Sequence, residues 1–165
     1  MRWVKDGNLV SRLEFAMLII EGKRMDSLAN LVAYVNKKPR IGTLSTANAQ
    51  GQVDVAIFGS ARMLNEKTIV LETQKNRSFA NLLSNPNAVF CIIEPAQNMP
   101  DWKGLRLYLR MTDYHTEGPL LAEAKALLAA RVGAAAAESM HATVTFEVTE
   151  IRPAVDHGQS WAEAI

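Results

Sequence analysis

The stretch "QKNRSFANLLSNPNAV", residues 74–89, gathers residue types suited to holding an anion. Phe79, Leu82 and Leu83 stand at i, i+3 and i+4, which predicts a short helix that buries this stripe and stops at Asn85-Pro86. Asn76 is a good N-cap, so the helix starts near Asn76 or Arg77. The first N–H groups of a helix lack intrahelical acceptors, and its dipole places about half a positive charge there. Arg77 adds a planar fork of donors that matches phosphate oxygens, and Ser78 adds a hydroxyl. Backbone, side chains and dipole would then act on one phosphate group. The plainer reading is a solvated helix start with two surface cations, Lys75 and Arg77.

Other chemistry-bearing residues show no comparable pattern. There is no nucleophilic triad and no pair of carboxylates at a helical interval. His115, His141 and His157 lack metal-ligand spacing and read as polar strand-end residues. The single cysteine, Cys91 in "AVFCII", cannot form an internal disulfide and reads as a small core residue. The seven methionines follow no period and read as core filler; Trp3 and Trp161 read as packing of the chain ends. The formal charge is +1, from 18 basic and 17 acidic residues, so no global field draws the chain to nucleic acid or a membrane surface. The apolar run "FAMLII" is too short for a signal sequence and follows Arg12 and Glu14. Nothing approaches the roughly 20 apolar residues of a membrane span. A cytoplasmic protein is expected, with no nucleic-acid or membrane partner.

The elements that would position the helix mouth follow from periodicity. A length of 165 residues with 48% hydrophobic content is enough for one domain with a core of its own. Leu9, Val10, Leu13, Met17 and Leu18 predict a helix over residues 9–21. Asp26 or Ser27 would cap a second, with Leu28, Leu31, Val32 and Val35 as its buried stripe and Pro39 as its end. The period then changes to two. "RIGTLST" (40–46) and "QVDVAIF" (52–58) flank the turn "ANAQG"; Val53, Val55 and Ile57 share one face, Asp54, Ala56 and Phe58 the other. "ARML" and "TIVLET" flank "NEK", and "AVFCII" (88–93) follows the short helix. After the loop "EPAQNMPDWKG" come a long strand, 105–118, and a helix opened by Gly118-Pro119 with Leu120, Leu121, Ala124, Leu127 and Leu128 as its apolar face. "GAAAAE" reads as a fraying end or turn, "ATVTFEVTEIRP" (142–153) as the last strand, and "AVDHGQSWAEAI" as a loose tail. Tight turns make the sheet antiparallel, and so many strands with few helices predict closure into a small barrel.

The run T-x-x-x-R-S-x-x-N-L-x-x-N-P-x-A (73–88), with its flanking strands and the Gly-Pro helix, resembles the pyridoxamine 5′-phosphate oxidase-like FMN-binding split β-barrel family over residues 26–153. The resemblance implies a mainly β fold with peripheral helices: a six-stranded antiparallel split barrel, forming a homodimer with FMN at the subunit interface. Residues 1–25 would be an N-terminal helical extension and 154–165 a C-terminal tail. By position, Arg77 and Ser78 would hold the FMN phosphate. Many relatives have Arg-Lys here, so one charge is missing, and Lys75 is a replacement from the far side of the helix start. The strand Asp54, Val55, Ala56, Ile57, Phe58 would offer backbone groups to the polar edge of the isoalloxazine. Glu72, Thr73 and Gln74 would line the ribityl chain, and Trp102 would cover the partner's flavin. Equally, Asp54 and Glu72 read as solvent-facing strand carboxylates and Trp102 as packing on its own loop. The implied activity is hydride or electron transfer through FMN to a small-molecule substrate. Pyridoxal formation itself is disfavoured, because the tail has Trp161 but no following Arg. The alternative is a non-catalytic FMN carrier or a haem module, whose axial ligand would come from His115, His141 or His157.

Overall fold

The alternating segments become strands of one antiparallel sheet in a computed structural model that describes residues 3–5, 8–10 and 12–165. A small hairpin of β1 (Trp3–Lys5) and β2 (Asn8–Val10) precedes the long helix α1 (Arg12–Asn36). The strands β3 (Ile41–Ala47), β4 (Val53–Ile57), β5 (Arg62–Asn65), β6 (Thr68–Gln74), β7 (Asn87–Glu94), β8 (Lys103–His115) and β9 (Met140–Pro153) follow. They lie in the order β4-β3-β7-β8-β9-β6-β5. The sheet thus has seven strands where the family resemblance implied six; the segment "ARML", read as a strand from its sequence, forms the short edge strand β5, paired to β6.

Period-two patterning gives each strand one inward row. Leu44, Phe90, Ile92, Leu105, Leu107, Val144 and Phe146 are fully buried, as are Ile69 and Leu71 of β6. Each such side chain contributes about 1.5–3 kcal/mol through burial. Leu31 and Val35 of α1 pack into the same core, as do Phe79 and Leu82 of α2 (Arg77–Ser84). Among the described residues no ladder joins the edges β4 and β5, so the barrel is split there. Side chains span the gap. The Ser60 hydroxyl accepts from the Glu72 N–H and donates to the Glu72 carbonyl, both at 3.1 Å. Arg40 donates to the carbonyls of Val35 and Ala61 while its guanidinium lies 5.1 Å from the centre of the Phe90 ring.

Four local expectations give way. The two N-terminal helices are one, α1, because Gly22 costs only about 1 kcal/mol against Ala and no proline interrupts the run. Leu9 and Val10 belong to β2, where they pair with Val4 and Trp3. The side chain of Trp3, expected to pack at the chain end, lies outside the described residues. "AAAAE" forms the helix α4 (Ala134–Glu138), since alanine is the strongest helix former and Gly133, at φ 105°, separates it from α3 (Pro119–Val132). Of the apolar face expected on α3, Leu121 and Ala124 are buried while Leu120 and Leu127 are exposed.

The tail is also ordered against the sheet. Ser160 caps a short 3₁₀ turn, Trp161–Glu163, and Trp161, Ala164 and Ile165 pack on the core. Gly104 holds the tail from both sides: its N–H donates to the Ala164 carbonyl at 3.1 Å and its carbonyl accepts from Ala154 at 2.8 Å. Asp156 accepts from Arg106 at 2.8 Å and from Arg152 at 2.7 Å. Among the described residues no helix is long and apolar enough to cross a membrane.

Gly104 has φ +156°, and a Cβ there would run into the Ile92 carbonyl oxygen of β7 and the Ala154 side chain. Gly104→Ala should therefore lower unfolding free energy by about 2 kcal/mol, through overpacking and the unfavourable φ. Chemical denaturation measures this. An unchanged midpoint would show that β7 and the tail yield at no cost.

Candidate functional site

The helix α2 forms as its residues predict. Asn76 is the N-cap, its side chain accepting from the Phe79 N–H at 3.0 Å, and its carbonyl accepts from Ala80 at 3.1 Å. The N–H groups of Arg77 and Ser78, in the first turn, have no intrahelical acceptor. Phe79 anchors the helix against β8 and β9, with edge-to-face contacts to Tyr114 (5.4 Å between centroids) and His141 (5.2 Å). The buried stripe is rotated from the expected one. Leu83 is exposed, and Ser78 and Asn81 are buried with Phe79 and Leu82.

That rotation lays a polar edge of α2 on the β3–β4 hairpin. The Ser78 hydroxyl donates to Asp54 Oδ2 at 3.0 Å, and Asn81 Nδ2 donates to Thr46 Oγ1 at 3.1 Å. Thr46 and Asp54 are cross-strand partners, so two helix positions one turn apart, Ser78 and Asn81, bind one rung of the ladder. Arg77 Nη1 lies 3.9 Å from Asp54 Oδ1, with the arginine side chain 78% exposed and the aspartate 19%. The guanidinium is therefore largely available for another acceptor, since so long and exposed a pair contributes little. Lys75 is exposed on the approach to the helix.

The parity expected for β4 holds. Ala56 and Phe58 turn toward the core and Asp54 toward α2, while Val53, Val55 and Ile57 face outward at 78%, 62% and 78% exposure. As an edge strand, β4 has no ladder partner on its outer side among the described residues. Beside it the outer face of the sheet carries an open groove of about 390 Å³, walled by Ser45, Ala47, Val53, Val89 and Tyr108.

Of the residues expected along β6, only Thr73 joins the helix mouth, its hydroxyl donating to the Gln74 carbonyl at 3.0 Å with Asn76 Oδ1 at 3.4 Å. Gln74 reaches instead to Ser139, at 2.9 Å. Glu72 belongs to the opposite face of β6, one residue out of phase with Leu71 and Thr73. There its carboxylate is buried and accepts from Arg62 at 2.8 Å. It faces neither solvent nor the helix mouth.

Trp102 donates its indole N–H to Ala96 at 2.9 Å, and so packs on its own loop. It precedes Lys103, which pairs with Glu94, whereas Asp54 follows the rung Thr46–Ala88. Six residues of β7 separate those rungs, about 20 Å along the strand, so Trp102 does not meet Arg77 within one chain. The histidines are dispersed: His115 contacts Asp113 at 3.1 Å, His141 packs on Phe79, and His157 lies in the tail. Asn81, Thr46 and Arg62 carry much of this arrangement and were not singled out in advance; the spacing Ser78–Asn81 was the available signal for a polar helix edge.

A profile of the pyridoxamine 5′-phosphate oxidase family matches residues 29–157, and the chain belongs to that family. Among curated proteins no sequence matches significantly. Solved structures of similar fold include an FMN-binding protein from Syntrophomonas wolfei subsp. wolfei, at 20% identity and TM-score 0.68, covering 88% of this chain and 98% of that one. HutZ, the heme storage protein of Vibrio cholerae, is 15% identical with TM-score 0.58, covering 80% of this chain and 99% of that one. A FAD-binding protein from Mesorhizobium loti is 16% identical with TM-score 0.53, covering 74% and 89%. At these identities the likeness concerns the fold. The donor set at the α2 mouth fits a phosphate monoester: an exposed guanidinium, a hydroxyl and the first-turn N–H groups that lack intrahelical acceptors.

Burial raises the pKa of the Glu72 carboxyl, partly offset by Arg62 and by hydrogen bonds from its own backbone and Ser60. A raised folded-state pKa means the folded chain binds this proton more tightly than the unfolded chain. The contribution of Glu72 to stability is then full below the ordinary carboxylate range and is lost as pH rises through the raised value. Glu72→Gln removes that titration. Its unfolding free energy relative to wild type should rise as pH is raised above the ordinary carboxylate range. A difference that stays flat, or falls with pH, would contradict the assignment of burial as the dominant effect.

Proposed function

We propose that this chain is a cytoplasmic FMN-binding flavoprotein, an oxidoreductase that passes hydride or electrons between bound FMN and a small-molecule substrate. The observation that carries the reading is the exposed Arg77 guanidinium beside Ser78 at the mouth of α2, next to the free edge of β4. In this reading Arg77, Ser78 and the first-turn N–H groups hold the phosphate, with Lys75 supplying longer-range positive charge. Thr73 orders the approach to that mouth through Asn76, and the edge of β4 from Asp54 to Phe58 meets the polar rim of the ring system. Bound FMN supplies the redox chemistry; the chain supplies position and exclusion of water.

A homodimer completes the proposal. Val53, Val55 and Ile57 make an apolar outer row on an edge strand, with Ile41 of β3 also exposed. A second copy over this face would remove that surface from water and enclose the neighbouring groove. Trp102 could reach a flavin only from that second copy. Pyridoxal formation is not proposed, because Trp161 is committed to packing on the core.

The second reading, a carrier of flavin or haem without turnover, is favoured by the similarity in fold to a heme storage protein. Haem would need an axial ligand from His115, His141 or His157. A visible spectrum of the purified protein separates the cofactors: flavin bands are expected, with FMN released on denaturation, and a Soret band would indicate haem. Consumption of a reduced nicotinamide with an electron acceptor separates enzyme from carrier.

Arg77→Ala should weaken FMN about tenfold to a hundredfold, the loss expected when a charged hydrogen-bond partner is removed, and leave riboflavin nearly unchanged. Titration of both flavins checks this. Equal weakening of the two would place the phosphate away from Arg77.

A further inference from the structure

The mouth of α2 already faces an anion of the chain's own. The Asp54 carboxylate takes the Ser78 hydroxyl at 3.0 Å and stands 3.9 Å from Arg77, the two side chains assigned above to the phosphate. It is also the less exposed partner, at 19% against 78% for Arg77, and β3 holds its backbone through the rung to Thr46. A serine hydroxyl has one proton to donate. A phosphate oxygen seated on Ser78 must therefore share that proton with Asp54 or displace it, and it arrives within a few ångströms of a like charge.

We propose that Asp54 sets the charge selectivity of this site, acting as a built-in competitor that reduces its preference for a phosphorylated flavin over an unphosphorylated one. The inference rests on the FMN reading of the helix mouth and adds a residue that acts against the phosphate rather than for it. The missing second cation of the Arg-Ser pair and the added carboxylate act in the same direction. Both make the mouth less positive than the backbone geometry alone would leave it. The dependence is on charge rather than shape, because the neighbouring bond from Asn81 to Thr46 holds the next turn of α2 on the same rung.

Asp54→Asn separates these roles. Asparagine keeps an oxygen for the Ser78 hydroxyl, removes the charge and adds an N–H donor. Dissociation constants for FMN and riboflavin are measured by flavin fluorescence in the full chain, wild type and variant, with thermal melts to confirm folding. The riboflavin-to-FMN ratio of dissociation constants should rise about tenfold in Asp54→Asn, as expected for relief of one nearby like charge. Riboflavin itself should change little, because β4 meets the ring system through its backbone edge, which the substitution keeps. Asp54→Ser, titrated in parallel, gives the same readout if the asparagine variant is poorly folded.

A ratio that stays level or drops overturns the inference and would make Asp54 a group that orients Ser78 and Arg77 for the phosphate. The Arg77→Ala titration distinguishes this from failure of the flavin reading. If wild type prefers FMN and loses the preference with Arg77→Ala, a flat Asp54→Asn result sinks the inference alone. If wild type binds neither flavin, both fall.

Discussion

The seating of α2 on the β3–β4 hairpin is the constraint from which the candidate site follows. An eight-residue helix is too short to hold its shape alone, so its packing must do so. Phe79 and Leu82 provide the apolar part by entering the core, and Phe79 is fixed further between Tyr114 and His141. Ser78 and Asn81 provide the polar part, with hydrogen bonds to Asp54 and Thr46 on one rung of the sheet. Buried polar groups are costly unless paired, so these two bonds fix the rotation of the helix as well as its position. Arg77, one residue before Ser78, is then left outside with its guanidinium in solvent.

The same economy of pairing recurs across the split in the barrel. Where β4 and β5 fail to join, Ser60 and Arg40 complete the backbone hydrogen bonds, and Arg62 neutralises the buried Glu72. That ion pair lies on the face of β6 opposite Thr73, so the two residues serve different parts of the molecule despite being adjacent. Glu72 pairs with Arg62 of β5; Thr73 lies against the start of α2. The outward row on β4 has no such closure and stays exposed within one chain.

How much of this was legible in the residues depended on the range of each interaction. The two faces of β4 were readable because strand parity is a property of adjacent residues. Asn76 as N-cap was readable because its bond to Phe79 spans three residues. The seam at Gly22 was misjudged for a related reason: a single glycine is a weak stop, and tertiary packing of Leu31 and Val35 stabilises α1 from beyond it. The tail looked loose because its anchors, Gly104 and Arg106, lie about fifty residues upstream.

The amino-acid order by itself determined the strands, the short capped helix and the presence of donors at its mouth, since each follows from contacts within a few residues. The fold alone decided what those donors face. Ser78 and Asp54 are 24 residues apart, and only the antiparallel pairing of β3 with β4 brings the carboxylate beneath the helix. It likewise decided that Glu72 turns away to Arg62 and that Trp102 lies far along the sheet, because side-chain partners across a sheet are set by register, which no local pattern encodes.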